Sequence, residues 1–113
     1  MSNDCLFCKI ADGQIPSAQV YNDTDFYAFR DINPAAPAHI LVIPRKHIER
    51  ISEADSGDAT LIGNLFLTAN RVAEQEGLTD FRYVINCGPQ AGQSVYHIHL
   101  HLLAGRDFYW PPG

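Results

Sequence analysis

No stretch of these 113 residues stays apolar long enough to span a bilayer, and no charged-then-apolar leader opens the chain. A cytoplasmic protein without a membrane partner is therefore expected. Basic residues are few: 8 Lys and Arg stand against 13 Asp and Glu, for a formal net charge of −5. Only Arg45 and Lys46 are adjacent, with Arg50 nearby. Duplex nucleic acid calls for a basic stripe that displaces counterions, and none is present. An anionic small ligand stays open, because a few local donors can hold a phosphate. Cysteine is scarce as well, and three thiols in a chain without a leader do not make a disulfide scaffold. Repeats, low-complexity tracts and linkers are missing. What is left is an ordinary globular composition, 46% hydrophobic and 19% charged, at a length that suits one domain over residues 1–113.

The pattern along the chain predicts an α+β fold. Cys5 to Ala11 suits a short helix, with Asp4 as N-cap and Gly13 past its end. Val20-Tyr21 and Phe26 to Phe29 read as two strands joined by a turn at 22–25. The prolines at 34 and 37 make the next segment a loop. His39 to Pro44 is apolar enough to be covered on both faces. Leu61, Ile62, Leu65, Phe66, Ala69, Val72 and Ala73 recur at helical spacing, so a long helix is expected over about 56–76, with Gly77 as its stop. Two further strands follow, at Phe81–Asn86 and Val95–Leu103, separated by the glycine-marked loop 88–92. Cys87, alone in an apolar run, reads as a small core residue. These elements make an antiparallel five-stranded sheet with one long and one short helix.

Three of the five histidines fall on alternate positions of the last strand: His97, His99 and His101. Side chains in a strand alternate faces, so the three point one way while Tyr96, Ile98, Leu100 and Leu102 point to the core. Neighbours in such a row stand about 6.6 Å apart at the backbone. That separation lets two of them share a metal ion but leaves three on one straight strand poorly placed for bonds of about 2 Å. The row therefore divides. Cys5 and Cys8 form C-x-x-C, which alone suits two small helix cysteines as well as it suits a metal. With His47 and the end member His97 they offer the four soft ligands of a zinc site. His99 and His101 remain for chemistry. A neutral imidazole is a good nucleophile near pH 7, and attack on phosphorus would give a phospho-histidine that water hydrolyses. Asn86, Gly92, Gln93 and Ser94 are candidate donors to the phosphate oxygens. The loop they belong to also fits a plain hairpin connection.

With these residues assembled, the chain resembles the histidine triad superfamily, whose signature alternates histidine with apolar residues. His97-Ile98-His99-Leu100-His101-Leu102-Leu103 fits it at every position. Phe7-Cys8-Lys9-Ile10, Ile15-Pro16-Ser17, Phe29-Arg30-Asp31-Ile32, His39 to Pro44 and Ala91 to Tyr96 extend the likeness over nearly the whole chain. The ending Trp110-Pro111-Pro112-Gly113 is similar to the Hint branch, the nucleoside phosphoramidases. The resemblance implies a homodimer whose sheets join, and a purine nucleotide site. In it His99 would attack the α-phosphate and His101 would contact the phosphate and the leaving group, with His39 orienting the row. Asp31 would accept from the ribose hydroxyls, and Leu6, Phe7, Ile10, Phe29 and Ile32 would wall the base. Cys5, Cys8, His47 and His97 resemble the zinc-bearing members, where the metal is structural. Trp110 would reach toward the partner subunit's site, or else pack at the dimer seam.

The expected function is hydrolysis of purine nucleoside 5′-phosphoramidates through a nucleotidyl-His99 intermediate. A transferase of the superfamily would carry glutamine where this chain has His101. A dinucleoside polyphosphate hydrolase would use the same residues on a different leaving group. A nucleotide- or zinc-binding regulatory module is the non-enzymatic alternative. A metalloenzyme gathering all three triad rings around one ion is disfavoured by their spacing.

Overall fold

The run Ala38-His39-Ile40-Leu41-Val42-Ile43-Pro44 has one polar side chain, so it has to lie where both faces are covered. In the computed structural model, which describes residues 4–113, this run is the central strand β3 (Ala38–Pro44). Around it lie α1 (Leu6–Ala11), β1 (Gln19–Asn22), β2 (Phe26–Arg30), α2 (Ala59–Gln75), β4 (Phe81–Val84) and β5 (Leu100–Ala104). The five strands form one antiparallel sheet in the order β1-β2-β3-β5-β4. Among the described residues no helix is long and apolar enough to cross a membrane.

Alternation along β3 divides the interior in two. Ile40 and Val42 join Phe26, Ala28, Ile98, Leu100 and Leu102 under α2, which contributes Leu65, Ala69, Val72 and Ala73. Leu41 and Ile43 join Tyr27 and Phe29 on the opposite face, closed by Phe7 and Ile10 of α1. The larger cluster has the long helix over it, and the smaller has one turn and a half of helix. A helix as short as α1 is marginal alone, so its place depends on what its side chains hold.

Several boundaries differ from expectation for physical reasons. The N-cap of α1 is Cys5, whose sulfur accepts from the Cys8 N–H at 3.3 Å, rather than Asp4. The long helix begins at Ala59 after a 3-10 turn over Ser56–Asp58, where Asp55 and Asp58 form a reciprocal capping box and Lys46 pairs with Asp58 at 2.7 Å. Within α2, Phe66 lies off the buried stripe against the Tyr83 ring, and Thr68 is buried in its stead. Cys87 is not in the core; it is half-buried, with its thiol on the Ser52 hydroxyl at 3.3 Å. Tyr96 likewise stays out of the core, under the Arg50 guanidinium.

The largest difference concerns the last strand. Its ladder covers only Leu100–Ala104, and pairing with β3 stops at Val42↔Leu100. Continuing would bring Pro44 opposite Ile98, and proline has no N–H to give. Ile98 donates instead to the carbonyl of Ile48 at 2.8 Å. At the other end of β5, Gly105 turns at φ +97, where a Cβ would lie 2.8 Å from that of Pro37. Only glycine fits there.

Candidate active site and metal cluster

Leu100 and Leu102 occupy the α2 side, so β5 turns His101 toward α1. The segment before it keeps the same alternation without a ladder. Ile98 is in the α2-side core, while the Phe7 ring meets His97 and His99 edge-on at 6.2 and 5.0 Å. The His99 and His101 rings stand 4.9 Å apart. The three imidazoles therefore share a face, as alternation required, but each is held differently.

The hydrogen bonds fix their tautomers. His99 Nδ1 lies 2.8 Å from the carbonyl oxygen of His97, which can only accept, so Nδ1 carries the proton and Nε2 is bare. Burial lowers the proton affinity of His99 further, against the opposing pull of the His97 carbonyl and Asp31. The ring is a neutral imidazole with its lone pair on Nε2. His39 is set from the opposite direction: the Ala35 N–H donates to its Nδ1 at 3.0 Å, which puts the His39 proton on Nε2. That proton goes to His101 Nδ1 at 2.9 Å, with Asp31 Oδ2 3.5 Å from the same His39 nitrogen. His101 consequently carries its own proton on Nε2. Among the described residues this Nε2 is buried without a partner. Burial, then His99 and His39, push His101 down to about 4, and burial lowers His39 as well.

A cavity of about 320 Å³ opens beside these rings. Leu6, Phe7, Ile10, Phe29, Asp31, Ile32, Ser94, His99 and His101, all named in the sequence as candidate site residues, line this one cavity. Ile32 stands at its mouth, 91% exposed. His39 backs the cavity through His101. Asp31, which lines the cavity, accepts from the Asn33 N–H with Oδ1 while its Oδ2 stays 3.5 Å from His39 Nε2. Sequence reasoning did not place Ile15, Pro16, Ser17, Arg30, Leu41 and Val95 at the ligand, and they also line it; the polar ones are Ser17, hydrogen-bonded to the Tyr27 hydroxyl at 2.7 Å, and Arg30, whose guanidinium pairs with Glu76. Nothing in the local pattern marks that serine beyond its place after Ile15-Pro16.

Four residues expected at the ligand are not in the cavity wall: Asn86, Gly92, Gln93 and Trp110. Two of them have no donor left to offer. The Gly92 N–H is bonded to the Pro89 carbonyl and the Gln93 N–H to that of Gly88. The Gln93 amide is buried, accepting from the Gly88 N–H and donating to the carbonyls of Glu49 and Val95. Gln93 thus braces the loop. Asn86 packs beneath it, its amide nitrogen 3.5 Å from where a Gly92 Cβ would sit. Trp110 is 84% exposed.

His97 is wholly buried and belongs to a second cluster. Its Nε2 donates to the Pro44 carbonyl at 2.7 Å, leaving Nδ1 unprotonated. That lone pair faces Cys5 Sγ at 3.3 Å, Cys8 Sγ at 3.5 Å and His47 Nδ1 at 3.1 Å. All four ligand atoms lie within 4.8 Å of one another. Bonds of about 2.0–2.3 Å in a tetrahedron give edges of about 3.3–3.8 Å, so the spacing suits a zinc-sized ion. The donor chemistry agrees. Burial and the Cys5 thiol push Cys8 up to about 11, a penalty that a divalent cation would reverse.

The fold and site together define the class: a small five-stranded α+β domain with a histidine row, one imidazole bare beside a cavity and one carrying a proton that has no partner among the described residues. The HIT domain model matches residues 12–108, and the chain belongs to that family. It is 52% identical over the full length of both chains to an uncharacterized HIT-like protein of Synechococcus elongatus. Among solved structures it is similar to a HIT family hydrolase from Legionella pneumophila, at 50% identity and TM-score 0.94 over 97% of this chain and 100% of that one. A histidine triad protein from Clostridium difficile is 42% identical, with TM-score 0.90 and 95% of each chain covered.

Proposed function

We propose that this protein is a nucleotide hydrolase that cleaves purine nucleoside 5′-phosphoramidates through a covalent nucleotidyl-His99 intermediate. The observation that carries the reading is the pairing of two Nε2 atoms on adjacent rings, one a bare lone pair and the other an unpartnered N–H. A nucleophile and a proton donor are what displacement at phosphorus with a poor leaving group needs. The similarity to a protein named a HIT family hydrolase supports the hydrolytic outcome. The apolar wall of Leu6, Phe7, Ile10 and Phe29 suits a purine, and Asp31 suits a ribose.

In the first step the His99 Nε2 lone pair forms a bond to phosphorus as the P–N bond breaks. The attack places positive charge on the His99 ring, which its Nδ1–H shares with the His97 carbonyl. The departing nitrogen takes the His101 Nε2 proton and leaves as an amine, and the negative charge left on the His101 ring is held by the His39 Nε2–H at its Nδ1 and by the positive His99 ring 4.9 Å away. In the second step water attacks phosphorus and the P–Nε2 bond breaks. The water's proton returns to His101, so the cycle consumes one water and releases amine and nucleoside monophosphate. Ser94, at the cavity wall, supplies a hydroxyl to a nonbridging oxygen.

Cys5, Cys8, His47 and His97 would hold a zinc ion in a structural role, cross-linking α1 to the loop after β3 and to the triad segment. The reading also includes a homodimer. β4 is an open sheet edge, and the exposed Trp110 would then lie near the partner subunit's site.

Steady-state turnover of adenosine 5′-phosphoramidate, compared with diadenosine polyphosphates, tests the activity. The phosphoramidate should be strongly preferred, and clear preference for the polyphosphate would overturn the choice of leaving group. His99→Ala should abolish turnover while nucleoside monophosphate still binds. Undiminished turnover would overturn the nucleophile assignment, and binding without turnover in the unaltered protein would favour a regulatory module.

A further inference from the structure

The metal cluster and the base wall share one short helix. Cys5 caps α1 with the same sulfur that faces His97, and Cys8 lies within it. Between and after them, Leu6, Phe7 and Ile10 line the cavity. Six residues cannot hold a helix by propensity, so α1 rests on two supports: the burial of Phe7 and Ile10, and whatever fixes Cys5 and Cys8. His97 connects the same cluster to the nucleophile, because its carbonyl holds His99 Nδ1 while its ring faces the two thiols. His97 has a further tie of its own, to the Pro44 carbonyl, which does not depend on a metal.

We infer that the cluster is a positioning device for nucleotide affinity: a zinc ion held by Cys5, Cys8, His47 and His97 fixes α1 as the base wall, so metal and nucleotide binding are coupled. The inference rests on the nucleotide reading above. Coupling of this kind is reciprocal, and equal in both directions. It falls on binding more than on chemistry, since the Pro44 bond keeps His97, and through it His99, in place when the metal is lost.

The test uses zinc-loaded and chelator-stripped protein, with adenosine monophosphate as the probe in calorimetry. Loaded protein should bind the nucleotide about fivefold or more tightly. Chelator competition on the loaded protein, with and without saturating nucleotide, should show zinc affinity raised by the same factor, and this arm does not require the stripped protein to stay folded. His47→Ala removes an exposed ligand outside the cavity and should raise KM more than it lowers kcat; His47→Cys, which restores a ligand, should return KM toward the original value. Zinc affinity indifferent to nucleotide, or a His47→Ala effect confined to kcat, would overturn the inference while leaving the catalytic reading intact. If loaded protein binds no nucleoside monophosphate, the nucleotide reading itself falls, and the coupling with it.

Discussion

His101→Leu separates stability from chemistry. The substitution removes a buried N–H that has no partner, and an unsatisfied buried donor costs about 1–3 kcal/mol. It also takes away the Nδ1 that accepts the His39 proton, a hydrogen bond of net worth about 0.5–1.5 kcal/mol. Asp31 Oδ2, 3.5 Å from the same His39 nitrogen, can take that proton in its place. The two effects oppose each other, so the melting temperature should hold or rise slightly. Catalysis should behave otherwise. A positioned general acid is worth about 10²–10⁴-fold, and the loss should be of that size for an amine, which leaves only when protonated. For a nitrophenyl ester of adenosine monophosphate, whose phenolate departs without a proton, the loss should stay within about tenfold. The assay is kcat/KM on both substrates with the unaltered and substituted proteins. Equal losses on the two would refute the acid role and leave His101 as a mere contact to the phosphate.

The same buried imidazoles set the pH response. His39 and His101 are held neutral in the fold, yet unfolded each takes a proton near the ordinary value of 6.5. The unfolded chain binds more protons below that value, so stability should fall as pH drops from about 6.5 and the His101 share of the loss should be complete near pH 4, as thermal melts across that range would register. Gly105→Ala forces a Cβ to 2.8 Å from Pro37 at φ +97 and should cost about 1–3 kcal/mol, visible as a lower melting temperature. Gly63→Ala, in the exposed middle of α2 with open space around it, should gain about 0.5–1 kcal/mol in the same assay. Elemental analysis should find about one zinc per chain, and Cys5→Ser with Cys8→Ser should abolish it and lower the melting temperature.

Much of this arrangement is legible in the residues. A continuous apolar run located β3, period-two alternation gave the triad's common face, and three- and four-residue spacing located α2, because the two periods follow from backbone geometry. The grouping of Cys5, Cys8, His47 and His97, which could hold a metal ion, was legible from ligand types although its members lie up to 92 positions apart. What escaped was everything set by competition between partners. The donors of Gly92 and Gln93 look free in the sequence, but the loop consumes them. The early end of the last ladder follows from Pro44, whose missing N–H matters only once the register is known. The tautomers of His39, His99 and His101 depend on hydrogen bonds that start from the Ala35 N–H as donor and the His97 carbonyl as acceptor, and no local pattern records them.

β3 buries Ile40 and Val42 on one side and Leu41 and Ile43 on the other. The strand therefore works as a partition with ballast on one side and tools on the other. Substitutions beneath the long helix should shift how hard the protein is to melt while leaving turnover almost untouched, whereas the thin half that carries the reaction has little stability of its own to spare. Anyone toughening this protein for use would begin behind the wall, out of sight of the substrate.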